Sequence, residues 1–119
     1  MGGTMTQFDD ARLQELLEIF GQEDFAMVVE AFLDETGHAV AALSEMVGSR
    51  PDPVREAQMH YLVGAARNLG AVAFGDICKR HQLSKDIFSA DDYAHLCQIF
   101  QETSAAFTAK IAESMNNAA

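Results

Sequence analysis

A chain of 119 residues carries enough side chains to bury one core and too few for two, which sets a single domain. Hydrophobic residues make up 49% and prolines number only two, so the chain reads as folded and helix-rich and not as a disordered segment. A formal net charge of -10 argues against nucleic acid and anionic membrane as partners, because both call for a basic surface, and leaves proteins as the expected ones.

Residues 1–8 are small and polar for the most part and read as a flexible leader. Asp9 or Asp10 can cap a short first helix by accepting backbone N–H bonds, with Leu13, Leu16, Leu17 and Phe20 as its apolar stripe and Gly21 as its end. From about Gln22 to Val47 the residues Phe25, Val28, Val29, Phe32, Leu33, Val40, Leu43 and Val47 recur at three- and four-residue steps, which predicts an amphipathic helix. Its acidic residues Glu23, Asp24, Glu30, Asp34 and Glu35, with His38, read as a solvated face.

Gly48-Ser49-Arg50-Pro51-Asp52-Pro53 is a loop whose aspartate can cap a helix beginning at Pro53 and running to about Asn68. Asn68-Leu69-Gly70 then supplies a turn. A further helix from about Ala71 to Leu83 places Phe74, Ile77, Cys78 and His81 inward and Lys79 and Arg80 outward, and Ser84 to Ala90 forms a second loop. Asp91 and Asp92 place negative charge at the start of a last helix, which carries Leu96, Phe100, Thr103, Phe107 and Ile111 on one face until about Ser114. No strand pattern is present. The expected architecture is all-α: an antiparallel four-helix bundle over residues 9–115 with a short additional N-terminal helix, and a frayed tail at 116–119.

No apolar run approaches the roughly 20 residues of a spanning helix, and Met1-Gly2-Gly3-Thr4 lacks the basic start of a signal peptide, so the expected compartment is the cytoplasm. Cys78 and Cys97 lie on separate predicted helices without CxxC spacing and read as small hydrophobes, not as a disulfide or metal pair.

One stretch organises the chain, His60-Tyr61-Leu62-Val63-Gly64-Ala65-Ala66-Arg67-Asn68-Leu69-Gly70. At about 100° per residue it sets Tyr61, Leu62, Ala65 and Leu69 in one arc and His60, Gly64 and Arg67 on the opposite side, away from the core. Gly64 costs the helix up to about 1 kcal/mol relative to Ala and bares the imidazole one turn before it, which suggests that something must come close.

This stretch resembles the histidine-containing phosphotransfer (HPt) domains of bacterial and fungal phosphorelays. Their pattern is His, any residue, Leu or Ile, Lys, Gly, two small residues and a later Gly, matched here by His60, Leu62, Gly64, Ala65, Ala66 and Gly70, with Val63 in place of the lysine. The order of helices is also similar over nearly the whole chain. The resemblance implies that His60 is the phosphoacceptor, relaying a phosphoryl group between aspartates of receiver domains, from a hybrid sensor kinase to a response regulator. It implies no cofactor on this chain, with Mg²⁺ held by the partner receiver, and a monomer without kinase activity of its own. No GxxxxGK[ST] loop or kinase-like glycine loop is present.

Chemically, the site needs little besides an outward ring nitrogen, since a histidine of ordinary pKa is largely neutral near pH 7 and can act as nucleophile without a separate base. Arg67, seven positions beyond His60 and about -20° from it around the helix, is a candidate to replace the absent lysine, its guanidinium suited to phosphate. Glu56, one turn before His60, is a candidate to hold the imidazole tautomer. Met59 and Val63 are candidates for an apolar docking patch around the histidine, and Lys79, Arg80 and Lys85 for basic contacts to the partner. Two other readings compete: an HPt-like adaptor or inhibitor that binds a receiver or kinase domain without accepting phosphate, supported by Val63, and a metal-binding bundle using His38, His60, His81 and His95. The second has one Glu-x-x-His pair, Glu35 and His38, where two are expected.

Overall fold

A computed structural model describes residues 7–116, and the architecture over them is all-α. Four helices follow one another: α1 (Asp10–Ala42), α2 (Pro53–Leu69), α3 (Val72–Leu83) and α4 (Ala90–Asn116), with a short 3-10 helix (Leu43–Met46) extending α1. α1 rests against α2 and α4, and α3 against the same two helices, so each helix has a neighbour on either side of the core.

Each start is written locally. The Asp9 carboxylate accepts from Arg12 N (3.1 Å) and the Asp52 carboxylate from Arg55 N (2.8 Å), with Pro53 in the first turn of α2. Ser89 and Asp92 satisfy each other at the start of α4, Ser89 N donating to Asp92 Oδ2 and Asp92 N to Ser89 Oγ, both at 3.0 Å. Gly21 does break the first segment as its type predicts. At φ 77°, ψ 170° it interrupts α1 and divides a short entry helix from the long one. The long segment stops earlier than the periodicity suggests, at Ala42 and the 3-10 turn, and leaves Val47 exposed.

The core is formed by Phe25, Val29 and Leu43 from the α1 side, Met59 and Leu62 of α2, Phe74 and Cys78 of α3, and Leu96 and Phe107 of α4. Phe107 is its centre of aromatic packing, 4.6 Å from the ring of Phe8 and 5.9 Å from that of Phe32. Phe8 belongs to the fold, which corrects the leader predicted for residues 1–8. Gln7 O accepts from Val72 N (2.9 Å), Asp9 N donates to Gly70 O (2.8 Å), and Phe8 pairs with Ala71. Residues 1–6 and 117–119 lie outside the described residues, with most of the predicted leader and tail.

α2 and α3 meet closely around a sharp corner. Gly70 ends α2 in the left-handed region (φ 72°), and its N–H returns to Ala66 O and Arg67 O. Five residues on, Gly75 lies where a Cβ would come 3.2 Å from the Ala66 methyl, so small residues on both helices set their spacing. Among the described residues, no helix is long and apolar enough to cross a membrane. Cys78 is buried and Cys97 half-buried, both free, and burial pushes the Cys78 thiol up to about 12, where it is unreactive near neutral pH.

Candidate functional site

The exposed face of α2 is Glu56, Ala57, His60, Tyr61, Gly64, Arg67 and Asn68, and the buried face Arg55, Met59, Leu62, Val63, Ala66 and Leu69. His60 and Gly64 point outward as their spacing predicts. The inner arc is rotated relative to the prediction, because α2 packs against α3 as well as α1. Tyr61 therefore lies outside the core, 48% exposed, while Met59 and Val63 are 0% and 3% exposed.

That rotation removes Met59 and Val63 as docking residues, since neither presents a surface to a partner. The apolar surface beside the histidine comes from elsewhere. A groove of about 650 Å³ between α1 and α2 is lined by Leu16, Phe20, Val28, Phe32, Tyr61 and Leu69, with His60 and Gly64 along it. Phe20, predicted as part of a buried stripe, is 41% exposed here, just before the break at Gly21. Arg12 also lines the groove, but its guanidinium is occupied by Glu15 and by Asn68 O, to which Nε donates at 3.0 Å.

On its other side His60 borders a smaller depression with Pro53, Glu56, Ala57 and Gln82. Gln82, near the end of α3, brings its side-chain amide to the imidazole, Nε2 standing 3.3 Å from His60 Nδ1. Its Oε1 is buried and has no hydrogen-bond partner among the described residues. The residue that meets the imidazole is thus Gln82 and not Glu56, which lines the same depression without a hydrogen bond to the ring. Nothing local marks Gln82 in the sequence: it stands on another helix, and only the closeness of α2 and α3 brings it to His60.

Gly64 has open space around it, and a Cβ built on it would meet nothing within 4 Å. No neighbour within the fold requires a glycine here. Its cost in helix propensity, about 1 kcal/mol relative to Ala, therefore has no return in packing. Gly75 on α3, where a Cβ would press on Ala66, is the contrasting case.

The chain matches no family model, no curated protein and no solved structure. What it can do is read from its own side chains.

Arg67 does not join His60. It lines a separate cleft of about 200 Å³ between α2 and α3, with Val63, Asp76, Lys79 and Asp9, and His60 is not part of that cleft. Two helical turns along α2 carry the guanidinium past the imidazole, so alignment on one face does not bring the two groups together. Lys79 sits with Arg67 there, half-buried, while Arg80 and Lys85 are exposed and line none of the clefts around His60. Among the described residues, no three His, Cys, Asp or Glu side chains gather in a way that could hold a metal ion. His81 is buried in the core, and His38 and His95 are exposed.

Proposed function

We propose that this chain is a histidine phosphotransfer module, an antiparallel four-helix bundle that relays a phosphoryl group between receiver-domain aspartates through His60. The observation that carries this reading is the pairing of an exposed imidazole with Gly64, a glycine that costs helix stability and fills no packing need. A bare helix face one turn from a nucleophile suits a partner whose active site must approach the ring closely. The apolar groove containing Phe20 and Tyr61 suits the same partner's flank.

Gln82 completes the chemistry. A half-turn about its terminal bond exchanges nitrogen for oxygen, so that Oε1 faces Nδ1 and accepts a hydrogen bond from Nδ1–H. The lone pair is then on the ring's Nε2. That pair forms the N–P bond as the P–O bond to the partner's aspartate breaks, and its electrons leave with the carboxylate. The Nδ1 proton stays on the ring, and the positive charge that develops there is stabilised by the Gln82 oxygen. Mg²⁺ belongs to the receiver, and the cytoplasm, where receivers work, is the proposed compartment.

One observation favours a second reading, an adaptor or inhibitor that docks on a receiver or kinase domain without accepting phosphate. The position of the family's lysine is a buried valine, and neither Arg67 nor Lys79 lines a cleft with His60. One experiment separates the two readings: incubation with a panel of phosphorylated receiver domains and Mg²⁺, beside His60→Gln. Acid-labile label on the wild type and none on His60→Gln is the result expected of a relay. Tight binding to one receiver, with no label passed to the chain from any donor, refutes the relay and establishes the adaptor.

A further inference from the structure

We propose that residues 84–89, which join α3 to α4, form an acid-released latch: neutral His81 holds it shut beneath Phe88, and protonation of that ring frees it. The inference concerns the end of the helical assembly and stands whether or not His60 accepts phosphate.

Phe88 is the plug of the latch, fully buried between two groups that are cationic or can become so. The His81 ring meets it edge-on at 5.2 Å between centroids, and the Arg55 guanidinium lies 5.8 Å from its centre. The backbone on either side is tied to the loop preceding α2. Gly48 N donates to Phe88 O (2.7 Å), Phe88 N to Ser49 O (3.0 Å), and Arg55 Nη1 to both Asp86 O (2.8 Å) and Ser49 O (3.2 Å).

His81 is 5% exposed, and its buried Nε2 has no hydrogen-bond partner among the described residues. A neutral imidazole tolerates this, because an unprotonated nitrogen leaves only an acceptor unpaired. A protonated one does not, since Nε2–H then needs an acceptor and the ring carries a buried charge. The charged and titratable groups that face His81 are Arg55 of α2, Arg80 of α3 itself, and Asp92 and His95 of α4. Only Asp92 can compensate, and its carboxylate already accepts the Ser89 N–H at the start of α4. Protonation therefore pushes the ring away from Arg55 and draws it toward Asp92, withdrawing one wall from Phe88 and competing for the cap of α4.

The direction of the pH dependence follows from burial, which holds His81 below its ordinary value of 6.5. A group whose folded pKa is depressed by favouring the neutral base contributes its stability in full above the unfolded value. That contribution is lost as pH falls through 6.5 toward the folded pKa.

The test is amide hydrogen exchange of Phe88 and Gly48, normalised for intrinsic rate, between about pH 7.5 and about pH 5, with His81 followed in parallel by its ring NMR shift. The expected result is a loss of protection on the order of tenfold at the two loop amides. It should follow the His81 titration while amides in the middle of α2 and α4 stay protected, and it should be absent in His81→Phe. Unchanged loop protection while His81 takes its proton overturns the latch, as does the same loss in His81→Phe. If that variant does not fold, the wild type decides: loop protection that falls from about pH 6.5 and levels off at the ring's own midpoint supports the latch, and loss that does not level off there refutes it.

Discussion

Replacing Gly64 by Ala should push stability and function in opposite directions. Gly64 lies in the interior of α2, five residues from its end, on the exposed face, and a methyl group there meets nothing within 4 Å. The full propensity difference between Ala and Gly is then gained with no clash to offset it, a stabilisation of about 0.5–1 kcal/mol. For a domain of this size that raises the thermal midpoint by roughly 2–5 °C. The same methyl stands one turn from His60, where an approaching receiver would have to seat its active site. A displacement of about 1 Å in such an encounter costs on the order of 100-fold in transfer rate. Thermal unfolding followed by circular dichroism, and transfer of label from a phosphorylated receiver, measure the two effects on one preparation. A Gly64→Ala protein that is more stable and transfers at the wild-type rate refutes the argument that the glycine serves a partner. One that is less stable refutes the open space around it.

Arg55→Met should lower stability by about 2 kcal/mol in urea denaturation, because it leaves the carbonyls of Ser49 and Asp86 without their charged donor while keeping the apolar stem. A variant as stable as wild type would show that the desolvation of a guanidinium with no carboxylate partner among the described residues cancels its two hydrogen bonds. Val63→Lys, which restores the lysine of the family pattern, should destabilise by about 1–3 kcal/mol, since the side chain is buried and the cleft it borders already contains Arg67 and Lys79. Its transfer rate should not rise, and a faster rate would mean that the lysine reaches His60. Phe20→Ala with Tyr61→Ala should weaken receiver binding by roughly tenfold or more in titration calorimetry, with little loss of stability because both residues lie outside the buried core.

Local chemistry made most of the fold legible. Caps at Asp9 and Asp52, the acidic pair Asp91 and Asp92, breaks at Gly21 and Gly70 and the three- and four-residue rhythm of apolar residues locate all four helices within a few residues. These signals act within one or two turns and so are written in adjacent residues. The outward orientation of His60 and Gly64 was legible for the same reason. The exposure of Tyr61 and the burial of Met59 and Val63 were not, because a helix between two neighbours buries a wider arc than one hydrophobic stripe suggests. Residues 7 and 8 escaped as well: nothing in a short polar leader announces that its phenylalanine will pack against Phe107, far along the chain.

The amino-acid sequence by itself determined an all-α domain, the places where its helices begin, and a histidine bared by a glycine on an outward face. Tertiary structure alone decided what surrounds that histidine. Gln82 reaches it from another helix, the Phe20 and Tyr61 groove forms only where α1 and α2 meet, and Arg67 is carried into a different cleft. The physical reason is that caps and periodicity depend on neighbours in the chain, whereas the company a side chain keeps depends on which helix faces pack together, and that is set by the core as a whole.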